Sequence, residues 1–197
     1  MRAAKTRPAS VPDVTAPERI LDVAETLGQT RGFNGFSYAD IAVQLGVTKA
    51  SLHYHFPSKA DLGRALVARY HRNFAAALAA IDRSVKAPRE KLTRYAGLYD
   101  SVLRNDRMCL CGMLAAEYAT LPVPMQTELI DFFNANESWL AGVLAAGRER
   151  GDFSFRGTPK ARAQSVLGAL EGALLVARAY GDERRFRAAA KQLLADL

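Results

Sequence analysis

Apolar residues recur every three or four positions along almost the whole chain, and no stretch shows the strict alternation of a half-buried strand. That period predicts an all-α protein of about nine helices. A first segment, 1–16, lacks the periodicity, and a helix follows over about 18–33. Two short helices fall within 37–59. A long one covers 58–83, with Leu62, Leu66, Tyr70, Phe74, Leu78 and Ile81 near one stripe. Pro88 opens the next helix, and another runs from about Cys109 to Ala119, stopped by Thr-Leu-Pro at 120–122. Pro124 begins a long helix that ends at Gly151. Thr158, followed by Pro159 at the first helical position, caps a helix to Tyr180, and Asp182 caps a last one to about Asp196.

The segment 37–59 carries the most chemistry. Ser37 with Asp40 three residues later is a near match to a capping box. Ala39, Ile41, Ala42 and Leu45 then supply an inward face, and Gly46 suits the left-handed residue that ends a helix. Val47 is expected to plug the space between the two helices. Thr48 caps the second one, which turns Leu52 and Phe56 inward. Lys49, Ala50, Ser51, His53, Tyr54 and His55 are left facing outward or sideways. Small Ala42 lets the helices approach, and a dense set of donors on the second is what a helix-turn-helix that docks on DNA requires.

Charge agrees with that reading. The chain has 197 residues, is 49% hydrophobic and carries a net charge of +7, which suits a polyanionic partner. The first 72 residues hold a net of +4 and the remaining 125 a net of +3, so positive charge is about twice as dense at the N-terminal end. All three histidines, His53, His55 and His71, fall there as well. The segment 1–16 reads as a flexible basic arm whose Arg2, Lys5 and Arg7 either reach along a phosphate backbone or belong to a solvated tail. The chain shows no apolar leader and no apolar run near 18 residues, so a cytoplasmic protein is expected.

Residues 17–62 resemble the DNA-binding domain of the TetR family of bacterial one-component transcriptional regulators. The resemblance rests on ERILDVAETLGQTRGF at 18–33 and FSYADIAVQLGVTKASLHYHFPSKADL at 36–62, whose L-x-Y-H-F-x-S-K-x-x-L ending is specific to that family. It implies that Thr48, Lys49, Ala50, Ser51 and His53 face base edges in the major groove, and that Ser37, Tyr54, His55 and Lys59 hold phosphates. Lys59 follows the capping Ser58, so its ammonium and the free N–H groups of the helix start can converge on one phosphate. His53 departs from the tyrosine common in the family, and an imidazole can either donate or accept. The resemblance further implies that 63–197 is a helical effector-binding and dimerisation domain. The subunits would meet through helices at about 159–180 and 183–196, presenting two recognition helices to a palindromic double-stranded operator. The sequence itself agrees, since SVLGALEGALLVARAY at 165–180 is apolar almost all round, with Gly168 and Gly172 on one stripe.

Two features bear on what controls such a switch. Cys109 and Cys111 lie two apart on a helix, a poor geometry for an internal disulfide, and two cysteines alone do not make a zinc site. They read either as small buried hydrophobes beside Met108 and Leu110, or with Cys109 as a sensing thiol. In the second reading the helix start and the nearby Arg104 and Arg107 would lower its pKa. An effector, whether a small molecule or an electrophile, needs a cavity between the C-terminal helices. Tyr95, Tyr99, Met113, Glu117, Tyr118, Phe132, Phe133, Trp139 and Glu171 are the candidate lining, the two carboxylates standing out amid apolar helices. No phosphate-binding glycine loop, paired-histidine metal motif or nucleophile triad is evident, so neither an enzyme nor a cofactor nor a metal is expected. The expected function is a ligand- or redox-responsive repressor; the rival is a helical protein-interaction adaptor with a degenerate helix-turn-helix.

Overall fold

A computed structural model describes residues 15–197, and among them every regular element is a helix. The order is α1 (Ala16–Arg31), α2 (Tyr38–Leu45), α3 (Lys49–His55), α4 (Lys59–Ser84) and α5 (Pro88–Leu103). There follow α6 (Leu110–Ala116), a 3₁₀ turn (Tyr118–Thr120), α7 (Val123–Glu149), α8 (Pro159–Tyr180) and α9 (Glu183–Ala195). Nearly all of the arm expected at 1–16 lies outside the described residues, and Ala16 already begins α1.

The local signals act as their chemistry requires. Ser37 and Asp40 form a reciprocal capping box, and the Thr48 hydroxyl accepts from the Ser51 N–H. Gly46 closes α2 at φ 67°, a conformation that would strain any residue bearing a Cβ. Leu52, with no exposed surface, anchors α3 in the core that Ile41 and Ala24 also join, a burial worth roughly 1.5–3 kcal/mol. Val47 does not fill the gap between α2 and α3: it is 40% exposed, and Leu52, Phe56 and the Tyr38 ring supply the packing instead. Tyr38 places its hydroxyl between the Phe56 and Ser58 carbonyls, 2.7 Å from each.

Helix α4 joins the two ends of the molecule, packing on α1, α5, α6 and α7. Its expected stripe is interrupted by a charge. Arg69 is buried and reaches Glu18, Asp22 and Glu25 of α1 at 3.1, 2.7 and 2.8 Å. The three acids recur along one face of α1, so the guanidinium ties α4 to α1 over two turns. In the C-terminal part α8 packs between α7 and α9, and α5 crosses behind all three.

Candidate DNA interface and effector site

The α2–α3 unit presents most of the expected reading groups to solvent. Thr48, Lys49, Ala50, Ser51, His53 and Tyr54 are exposed, Tyr54 at 84%, while Leu52 and Phe56 between them point inward. His55 is half-buried, edge-on to Tyr54. The His53 ring packs on Tyr38 and its Nδ1 lies 3.0 Å from the Pro57 carbonyl. A carbonyl can only accept, so Nδ1 carries the proton, and a neutral His53 offers Nε2 as an acceptor.

Two of the expected phosphate groups are used inside the fold. The Ser37 hydroxyl donates to Asp40 Oδ2 at 2.7 Å and its N–H to the same oxygen at 2.8 Å, leaving no donor for a phosphate in this conformation. The Ser37 bonds hold the Asp40 carboxyl below the usual carboxylate range. Lys59 turns its ammonium back onto the Phe33 and Phe36 carbonyls, 2.6 and 2.5 Å away, and over both phenyl rings. Burial lowers its pKa, and Glu117 partly restores it.

The candidate effector residues fall into two groups. Tyr95, Tyr99, Cys109 and Glu171 meet at the centre of the C-terminal part, with Phe132, Phe133 and Trp139 around them. Tyr95 and Tyr99 hydroxyls are 3.1 Å apart, and Tyr95 also donates to Asn136 Oδ1 at 3.1 Å. Trp139 stacks on Tyr95 and donates to Asp82 Oδ2 at 2.9 Å. Burial alone would raise the Asp82 pKa, but its bonds from Lys91 and Trp139 hold it below the ordinary value. Glu171 has both carboxylate oxygens out of solvent and no donor in good hydrogen-bonding geometry. Burial pushes its pKa up to about 7, although the nearby Cys109 thiol and Tyr99 hydroxyl oppose the rise. Sequence reasoning missed Tyr70, whose hydroxyl lies 3.7 Å from Cys109 Sγ, and the buried Asn136.

Glu117, Tyr118 and Met113 do not belong to this cluster. Glu117 follows α6 and turns its carboxylate to the Phe33 N–H at 2.6 Å, because the loop after α1 offers unpaired donors there. Tyr118 sits in the 3₁₀ turn, 40% exposed. Met113 faces Arg178, whose Nη1 is 3.6 Å from its sulfur.

Cys109 also differs from the activated thiol. It does cap the start of α6, but burial and the nearby Glu171 push its pKa well up, and Arg104 is turned to Asp100 at 3.3 Å. Burial raises Cys111 likewise. Both thiols are free and buried, and both are expected to resist iodoacetamide at pH 8 in the folded protein and to react on unfolding. Mass spectrometry of the alkylated chain checks this; rapid labelling of native Cys109 would restore the activated-thiol reading.

A separate concavity, an open groove of about 400 Å³, lies between α5 and α9 and is floored by Ala96, Gly97, Phe186 and Ala190. It holds no buried polar group lacking a partner, so the tyrosine–glutamate cluster has the stronger chemical claim on a ligand. On the outer face of α8, Gly168, Gly172, Leu175, Val176 and Tyr180 form an exposed stripe, and no atom lies within 4 Å of a Cβ built on either glycine.

Comparison with known proteins agrees with this arrangement. The family described as bacterial regulatory proteins, tetR family, matches residues 20–66, from α1 into α4. A TetR-family transcriptional regulator from Agrobacterium tumefaciens is 35% identical, with a TM-score of 0.89 over 92% of this chain and 96% of that one. The transcriptional regulator AcuR of Cereibacter sphaeroides is 28% identical over 178 residues, 87% of this chain and 81% of that protein. The biofilm operon negative transcriptional regulator IcaR of Staphylococcus aureus is 42% identical over 45 residues, 23% of this chain and 24% of its own. No described helix is long and apolar enough to cross a membrane. With the capped α2–α3 unit, the all-helical body and a full-length structural relative in agreement, the chain belongs to the TetR family of transcriptional regulators, which are not enzymes.

Proposed function

We propose that this regulator is a repressor that binds a palindromic operator as a homodimer and lets it go when an effector enters the C-terminal domain. The observation that carries the reading is the outer face of α3, where Thr48, Lys49, Ala50, Ser51, His53 and Tyr54 are all exposed on a helix anchored by Leu52. IcaR, by its name a negative regulator, supports repression. A second copy on the Gly168–Gly172–Leu175 stripe would cover its exposed apolar surface and set two α3 helices for two half-sites. The effector site is Glu171 with Tyr95, Tyr99, Cys109 and the Trp139 stack, closed in this conformation, Tyr95 and Tyr99 being almost wholly buried. A ligand offering a hydrogen-bond donor or a cation to Glu171 would stabilise a conformation with that cluster opened. Operator release then follows as a population shift.

The test begins with a duplex selected by the protein from a random pool. Its affinity should fall steeply with salt, with a slope of log affinity against log salt set by its phosphate contacts, and Lys49→Ala should weaken the selected duplex most and relax specificity at the base pair it faces. Lys59→Ala should leave that slope nearly unchanged, since its ammonium is held by the Phe33 and Phe36 carbonyls. A protein-interaction adaptor would select no duplex and show no slope.

A further inference from the structure

The turn after α1 is held from both sides by side chains of the C-terminal part. Arg178 of α8 donates to the Gln29 carbonyl at 3.2 Å and to the Thr30 carbonyl at 2.6 Å, and the Met108 N–H adds a bond to Gln29 at 3.1 Å. These carbonyls are among the last of α1, where orphan acceptors and the negative end of the helix dipole favour a cation. Past Gly32 the polarity reverses. The Glu117 carboxylate accepts from the Phe33 N–H at 2.6 Å and the Asn34 N–H at 3.3 Å, and Asn34 Nδ2 donates to Thr120 Oγ1 at 2.8 Å. Gly32 has φ 79°, and a Cβ there would stand 2.6 Å from Glu117 Oε1, so only glycine admits the carboxylate.

We infer that Glu117 and Arg178 are positioning residues for operator binding, an anion and a cation that grip the end of α1 and fix the angle of the helix-turn-helix unit. Each jaw stands on a helix that also contributes to the central cluster. Glu117 ends the helix that Cys109 caps, and Arg178 lies seven residues beyond Glu171 on α8, about 10 Å along the axis by helix rise. A shift of the cluster is therefore delivered to both jaws through about two turns of helix on each side. Lys59 completes the mount from within the DNA-binding unit, holding the Phe33 and Phe36 carbonyls on the other side of the same loop. The link to operator spacing rests on the DNA-binding reading above, whereas the grip itself does not.

The experiment uses the full chain without effector, as wild type, Glu117→Gln, Glu117→Ala and Arg178→Met. The duplex selected by the wild type is compared with duplexes carrying one base pair more or fewer between the half-sites. Each variant should lose about tenfold in affinity at the preferred spacing, the size of one charge-assisted hydrogen bond. Discrimination between spacings should flatten, with Glu117→Gln, which keeps one acceptor oxygen, falling between Glu117→Ala and wild type. The salt slope should not move, because neither residue touches phosphate. A general loss of stability would lower affinity at all spacings alike, so spacing discrimination kept at the wild-type level overturns the proposal. Amide exchange in the DNA-free protein tests the grip separately: Phe33 and Asn34 N–H groups should exchange faster in Glu117→Ala, and unchanged exchange overturns it. Failure of the wild type to select any duplex would instead sink the DNA-binding reading and leave the exchange result to decide the grip.

Discussion

Glu171→Gln is expected to raise the midpoint of thermal unfolding at pH 8 relative to its value at pH 4, each measured against wild type at the same pH. Burial displaces the Glu171 pKa from 4.5 to about 7. Below 4.5 the carboxyl is protonated in both the folded and the unfolded chain, and it costs the fold nothing extra. Between 4.5 and about 7 the unfolded chain gives up the proton while the fold retains it, so stability falls as pH rises through that window. Above it the full penalty stands, with an upper bound of about 3 kcal/mol at 1.36 kcal/mol per unit. Glutamine has nearly the same shape and never ionises. Its amide brings donors that the site satisfies only in part, at a cost of about 1–3 kcal/mol, but that cost is the same at both pH values and cancels in the comparison. For a chain of this size, about 2–4 °C per kcal/mol puts the relative gain at up to about 6–12 °C. Parallel curves for the two proteins from pH 4 to 8 would mean that Glu171 has a partner or solvent access in the ground state. On the effector reading proposed above, the same balance would let a ligand that supplies a donor select the ionised form of Glu171 at neutral pH.

How far the sequence carried this picture depended on the range of the interaction. Caps and breaks were legible because each is decided within four residues: Ser37 with Asp40, Gly46, Thr48, Thr158 with Pro159, Gly181 and Asp182 all act where their types direct. Helix period likewise placed Leu52, Tyr95, Tyr99 and Phe132 inside. What periodicity gives is a face, and it does not name the neighbour on that face. Glu117 and Glu171 were therefore equivalent in sequence, two carboxylates amid apolar helices. In the fold one is orphaned in the core and the other bonds a backbone N–H 84 residues away. Lys59 stands at a helix start that suits an anion, yet two carbonyls nearby claim its ammonium first. Arg69 went unread for the same reason, although Glu18, Asp22 and Glu25 on one face of α1 were a visible signal that some buried cation faces them.

Leu175→Glu combined with Val176→Glu should leave the subunit folded, make it a monomer, and lower operator affinity by about a hundredfold or more. Leu175 is 56% and Val176 52% exposed in the single subunit, so their loss removes little of its core. In the monomer the new carboxylates are hydrated. In a dimer through α8 they would be desolvated against their own symmetry mates, at several kcal/mol for each charge left without a partner. Gly168 and Gly172 would let a second α8 come close along the same stripe, which would concentrate that cost at the centre of the contact. The effect on DNA is indirect and therefore diagnostic. Two half-sites held by one dimer convert the second docking step into an intramolecular one, a gain of about 10²–10⁴ that a monomer forfeits entirely. Affinity for an isolated half-site should stay at the wild-type value, because α3 lies in the other part of the chain and is untouched. Sedimentation velocity, circular dichroism and binding to full and half operators together read all of this. A double variant that stays dimeric moves the interface off this stripe. One that unfolds places the stripe inside the subunit core, where its exposed surface would have to be an incidental opening rather than a contact waiting for a second copy.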